Sequence, residues 1–129
     1  MAETFEHHDR AKFEFYAIVL NGNDNGAMRK RLNAAFEHVI ETNNLTDFGV
    51  AQRMAELEID IAVDLKGYTK DCRPRIFSFR PAPISAAYIG YPGTSGSSNI
   101  DYLIADSFVV PPETHSDYSE KIVSLGGCY

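Results

Sequence analysis

The sequence predicts an α/β protein with a largely parallel sheet. Three observations carry that expectation. Short apolar runs rich in β-branched and aromatic residues recur at 13–20, 59–65, 84–89, 102–105 and 121–125. The stretches between the first two have apolar residues at helical spacing. Strands that alternate with helices are joined by crossovers, and crossovers produce parallel pairs.

The first run, Phe13 to Leu20, closes at Asn21-Gly22 and reads as a strand ended by a turn. Residues 21–26 are loop chemistry, with Asn and Asp side chains that bond their own backbone and glycines that accept positive φ. Met28, Leu32, Phe36, Val39 and Ile40 then fall at helical spacing and predict an amphipathic helix over 27–41. Thr46 is suited to cap a second helix over 47–57, with Asp47 near its positive end and Phe48, Ala51, Met54 and Ala55 facing inward.

Residues 59–65 form a strong strand pattern whose odd positions are all large and apolar. Ile76, Phe77 and Phe79 give 72–79 a helical spacing that Arg80-Pro81-Ala82-Pro83 must end, because a residue before proline is pushed out of the α region. The remaining three runs complete the set of strands. No repeat, low-complexity tract or linker interrupts them, so residues 1–129 are expected to form a single domain.

Composition narrows the function. Apolar residues make up 44% and charged residues 23%, as in ordinary globular proteins. A net charge of −6 is the wrong sign for a nucleic-acid footprint. No apolar run has the length of a membrane span, and the first residues lack the apolar centre of a signal peptide. Two distant cysteines, Cys72 and Cys128, fit a reducing cytoplasm better than a disulfide framework, and with four scattered histidines they offer no metal-ligand spacing.

In open α/β sheets, ligands sit beyond the carboxyl ends of the strands, and two loops occupy that position. Gly90-Tyr91-Pro92-Gly93-Thr94-Ser95-Gly96 interrupts an apolar run. Pro92-Gly93 predicts a type II turn, with positive φ at Gly93. Gly90 and Gly96 would let backbone N–H groups face an anion, and Thr94 and Ser95 add hydroxyl donors. The alternative is a turn that only reverses the chain. The motif is neither a Walker loop nor Gly-x-Gly-x-x-Gly.

The other loop follows residues 59–65 and carries Tyr68, Thr69, Lys70 and Arg73, which suit a carboxylate, a phosphate or a peptide backbone; a solvated helix start is the alternative. Asp60 and Asp64 share one strand face and could form an acid–base pair, or simply polar strand ends. Cys72 lies near Lys70 and Arg73 and is either reactive or plainly buried. His7, His8, His38 and His115 read as solvated or structural. No complete nucleophilic triad can be assembled.

Residues 64–129 carry more specific text. Gly67-Tyr68-Thr69, Arg80-Pro81-Ala82-Pro83-Ile84, Gly90-Tyr91-Pro92-Gly93-Thr94-Ser95-Gly96, Asp101-Tyr102 and Tyr118-Ser119-Glu120-Lys121 stand in an order and spacing that resembles the catalytic region of protein O-GlcNAc transferases, glycosyltransferase family 41. The likeness is closest to bacterial members that follow tetratricopeptide repeats. Residues 12–29 are similar more loosely.

This resemblance implies a Rossmann-like three-layer domain, part of the N-terminal lobe of a GT-B glycosyltransferase. It implies an inverting, metal-independent enzyme with no cofactor, which transfers N-acetylglucosamine from UDP to Ser or Thr of acceptor proteins. SPINDLY-type relatives use GDP-fucose instead. It further implies that Ile89 and Gly90 border the donor's sugar and diphosphate, with Tyr91, Pro92, Gly93 and Thr94 continuing that donor side. Tyr68, Thr69, Lys70 and Arg73 lie on the acceptor side. A β-branched residue at 90 is then expected to weaken donor binding more than folding.

The family's His-Pro-Thr or His-Pro-Ser motif has no counterpart, since His7-His8 is followed by Asp9-Arg10. No catalytic residue and no metal ligand is therefore assigned. The second lobe and the tetratricopeptide repeats are not among these residues. The 129-residue chain alone is expected to be inactive and to self-associate, as a homodimer, through an exposed edge. A non-catalytic interaction domain of the same fold is the rival reading.

Overall fold

The computed structural model describes residues 2–20, 22 and 26–127. The chain divides into two compact units, Met1–Leu45 and Thr46–Tyr129.

The first unit is a short helix followed by one β-α-β turn of chain. Its elements are α1 (Ala2–Glu6), β1 (Tyr16–Val19), α2 (Ala27–Ala35) and β2 (His38–Glu41). The two strands pair in parallel, with Tyr16 opposite His38 and Val19 opposite Glu41. The helix expected over 27–41 therefore ends at Ala35, and Phe36 is already extended at φ −100°, ψ 147°. Val39 and Ile40 fitted the helical period only by coincidence of a short apolar run. They pair with Ala17 and Ile18, where β-branched side chains pack well on a pleated surface. Phe36 packs on Phe5 at 4.8 Å between ring centroids.

Glu37 fastens the switch from helix to strand. It accepts the Phe15 amide at 2.7 Å and pairs with Arg10 at 2.7 Å. The Phe15 amide outweighs desolvation and holds the Glu37 carboxyl below its usual range. His8 stacks on Phe15 at 4.1 Å and stands 3.2 Å from Glu37. Of the loop at 21–26, Asn21, Asn23, Asp24 and Asn25 lie outside the described residues. Gly22 exchanges two 3.2 Å hydrogen bonds with the Asn43 side chain.

The second unit holds α3 (Asp47–Glu56), β3 (Ile61–Asp64), β4 (Ile84–Tyr88), β5 (Tyr102–Asp106) and β6 (Lys121–Leu125). Two 3₁₀ segments, Pro74–Phe79 and Pro112–Asp117, lie in the connections. The strands form one sheet in sequential order, every neighbour parallel. The parallel α/β class is the one expected.

Thr46 caps α3 by accepting the Gly49 amide at 3.1 Å. Ala51 and Met54 are buried as expected, and Val50 joins them. Phe48, expected inside, is 57% exposed, where it meets Phe79 edge-on at 5.3 Å. Ala55 is exposed as well. The helix buries Val50, Ala51 and Met54, and its aromatic ring stays at the margin.

The segment at 72–79 has the expected place and end, but its helical part is a 3₁₀ turn. Pro74 begins it, and Arg80, at φ 48°, ends it by donating its amide to Phe77 O at 3.0 Å. In β3 the alternation runs opposite to residue size: Ala62 is 2% exposed, whereas Ile61 is 54% exposed. Leu103, Ala105 and Val110 form the packed centre. Asp101 secures β4 to the start of β5. The Ser85 amide at 2.8 Å, aided by Arg80, holds its carboxyl below the usual range despite desolvation.

Candidate functional site

Both loops singled out from the sequence lie at carboxyl ends of strands, after β3 and after β4. They also touch. Gly90 sits at φ +38° with its Cα so close to the first loop that an added Cβ would lie 2.5 Å from the Leu65 carbonyl oxygen. Gly67 returns the contact. At φ +52°, a Cβ there would lie 2.5 Å from the Tyr91 Cβ. Both glycines are required by loop-on-loop packing as well as by their dihedrals. A β-branched residue at 90 would therefore also strain the fold, beside the effect on donor binding that the resemblance implies.

The turn chemistry differs from the expected kind. Gly93 is not among the positive-φ glycines, so Pro92-Gly93 does not make a type II turn. The chain bends one step earlier, at Ile89 (φ 61°) and Gly90. A β-branched residue in the left-handed region is strained, and such strain persists only where surroundings over-determine it.

After the bend, hydroxyls and amides turn inward. Glu120 is 5% exposed and receives Thr94 Oγ1 at 2.7 Å, the Ser95 amide at 2.7 Å, and Ser95 Oγ. Burial pushes its carboxyl up; the Ser95 and Thr94 hydrogen bonds overcome that and hold it below the usual carboxylate range. Thr94 Oγ1 also accepts the amides of Gly96 and Ser119. The Tyr118 hydroxyl donates to Pro92 O at 3.2 Å and the Tyr68 hydroxyl to Ser95 O at 2.7 Å. The two hydroxyl donors that the sequence offered to an anion thus satisfy a buried glutamate.

The first loop is built differently. Asp64 Oδ1 accepts the amides of Lys66 at 2.9 Å and Gly67 at 3.1 Å. This is the polar strand-end role, and Asp60 is exposed rather than paired with it. Arg73 Nε binds Asp47 at 2.7 Å, so this side chain ties the loop to α3.

Between the loops lies a cleft of about 220 Å³. Gly67 and Tyr68 line it from the first loop, and Tyr91, Gly93, Ser95 and Ser97 from the second. The 3₁₀ segment contributes Pro74, Arg75, Phe77 and Ser78. Tyr68 and Tyr91 meet edge-on at 5.7 Å. Of the residues expected on the donor side, Tyr91 and Gly93 line the cleft, whereas Ile89, Gly90, Pro92 and Thr94 form the bend behind it. Of those expected on the acceptor side only Tyr68 lines it. Thr69 and Lys70 are exposed outside it. Arg75 was not singled out, and Glu120 only as part of the Tyr118-Ser119-Glu120-Lys121 block. A lone arginine and a glutamate at a strand start give no periodic signal. Among the described residues no His/Cys/Asp/Glu cluster suited to a metal ion occurs, and no helix is long and apolar enough to cross a membrane.

The glycosyl transferase family 41 profile matches residues 1–129. The chain belongs to that family. A family 41 relative from Arabidopsis thaliana, SEC, described as a probable UDP-N-acetylglucosamine–peptide N-acetylglucosaminyltransferase, is 39% identical over 129 residues, which is 100% of this chain and 13% of the relative. A Caenorhabditis elegans UDP-N-acetylglucosamine–peptide N-acetylglucosaminyltransferase is 35% identical over 119 residues, covering 92% of this chain and 10% of the relative. A mutant O-GlcNAc transferase of Thermobaculum terrenum superposes with a TM-score of 0.94 at 30% identity, over 99% of this chain and 24% of the other. The chain thus spans a small part of the curated relatives it matches. The likeness in fold agrees with the expected assignment to a GT-B catalytic region.

Proposed function

We propose that this chain forms one wall of the catalytic cleft of a protein glycosyltransferase that moves N-acetylglucosamine from UDP-N-acetylglucosamine to Ser or Thr of acceptor proteins. The observation that carries it is the cleft between the β3 and β4 loops, at the strand ends where α/β sheets bind ligands, in a family 41 chain. Relatives named as UDP-N-acetylglucosamine–peptide transferases support the donor and the acceptor class. The sequence resemblance supports an inverting transfer without a metal. It also supports the bend at 89–94 as donor side and the loop at 68–73 as acceptor side.

The bend's part is structural in the first place. A rigid main chain, pinned by Glu120, gives the donor a fixed boundary at no cost of reorganisation. Transfer also needs an in-line acceptor hydroxyl and a stabilised leaving diphosphate. These 129 residues contribute one side of that arrangement and are inactive alone. The outward Ile61, Val63 and Ile84 support self-association of the isolated chain. Cysteine usage supports a cytoplasmic setting.

The test is glycosyl transfer by the enzyme that contains these residues, assayed with labelled UDP-N-acetylglucosamine and a Ser/Thr peptide, beside the 129-residue chain. Transfer by the former and none by the latter is expected. Transfer from GDP-fucose alone, or turnover by the short chain, overturns the reading.

A further inference from the structure

We propose that Arg75 selects acceptors by pairing with a carboxylate of the acceptor polypeptide, so that Ser or Thr flanked by Asp or Glu is favoured. The proposal rests on the transferase reading of the same cleft. The sequence places the cations of the acceptor side at Lys70 and Arg73. In the structure neither of those two cations lines the cleft. Arg73 is held by Asp47 at 2.7 Å, its side chain 17% exposed, and Lys70 stands outside the cleft.

Arg75 follows two residues later. The 3₁₀ segment begun by Pro74 directs it to the cleft, and it is exposed there. Among the described residues no carboxylate pairs with its guanidinium. The other charged residue that lines the cleft, Asp64, already receives two amides. A chain with 18 acidic and 12 basic residues thus leaves a cation without its acid on a concave surface.

The surroundings favour a carboxylate over a sugar diphosphate. A diphosphate calls for several converging donors. The Thr94 and Ser95 hydroxyls and the Ser95 amide are turned to Glu120 instead. One planar guanidinium matches one carboxylate with two parallel hydrogen bonds. Tyr68, Tyr91 and Phe77 supply apolar surface on which peptide side chains can pack.

The experiment compares three Ser/Thr peptides with the enzyme that contains these residues: one flanked by Glu, one by Gln and one by Lys. For the unaltered enzyme kcat/KM for the Glu peptide is expected to exceed that for the Gln peptide by about threefold, mostly through KM, as a solvent-exposed ion pair provides. Arg75→Gln brings the ratio to about one, and Arg75→Glu shifts the preference to the Lys peptide. An unchanged ratio in Arg75→Gln overturns the proposal. A raised KM for UDP-N-acetylglucosamine with the peptide ratio intact does so too, and moves Arg75 to the donor. No transfer to any peptide by the unaltered enzyme is a different result, because it overturns the transferase reading itself.

Discussion

The two loops at the carboxyl end of the sheet share a cleft but differ in what they leave free. After β4, both hydroxyls and two carbonyls of the bend are answered within the protein: Thr94 and Ser95 by Glu120, and the carbonyls of Pro92 and Ser95 by Tyr118 and Tyr68. After β3, Asp64 closes a tight turn, and the following 3₁₀ segment presents Arg75, which no carboxylate among the described residues pairs with. A loop with satisfied groups is a fixed wall, whereas one with an unsatisfied charge makes a choice among ligands. The richest cluster of small and hydroxyl residues is the scaffold here, and the plainer segment carries the selective contact proposed for Arg75.

The sharpest way to break this contrast is Gly90→Val. The added Cβ would lie 2.5 Å from the Leu65 carbonyl oxygen, at a dihedral that β-branched residues avoid. The two loops would be forced apart. A loss of about 3 kcal/mol or more is expected, from backbone strain plus steric overlap. Thermal denaturation of the enzyme that contains these residues measures it. A variant that keeps its melting temperature and loses only donor affinity would show that the bend is shaped for ligand rather than for its neighbour.

Glu120→Gln comes next. It leaves a side chain that can accept fewer of the three donors and carries no charge. A loss of about 1–3 kcal/mol is expected, in the range for a buried charged hydrogen bond. The pH dependence sharpens it. Hydrogen bonds hold the folded-state Glu120 carboxyl below its ordinary value, so the ionised form favours the fold. Its contribution is fully present above the unfolded-state value, about 4.3, and is lost as pH falls through the lower folded value. The stability gap between the unaltered protein and Glu120→Gln is expected to be constant near neutrality and to close only in acid. A gap that persists at pH 2 would assign the effect to shape instead of charge.

How much of this could be read from the residues follows from the same physics. Thr46 and the proline-bound end at Arg80 were legible because capping and pre-proline geometry are local. Val39 and Ile40 were not, because a short apolar run fits both periods and the partner strand decided the outcome. The loops were legible as irregular backbone at strand ends, since glycine and proline mark it. Which polar groups remained free was not. That depended on Glu120, 25 residues beyond Ser95 in sequence, and on Asp47, which removes Arg73 from the cleft.

The smallest expected effect concerns Ile89, at φ 61° the most strained residue of the bend. Truncation to Ala removes the side chain and keeps the unfavourable dihedral. Ile89→Gly removes both. In ordinary extended or helical positions glycine is the less stable of the two by about 0.5–1 kcal/mol. Here the order is expected to reverse, with Gly more stable than Ala by about 1 kcal/mol, the cost of a left-handed residue that has a Cβ. Denaturant midpoints of the two variants measure the difference. Donor affinity then divides the explanations. If Ile89→Gly gains on Ala in stability yet binds UDP-N-acetylglucosamine no better, the strain belongs to the packing of loop on loop. If it binds worse than Ala, the fixed left-handed bend is what presents the wall to the donor, and the strain is part of function.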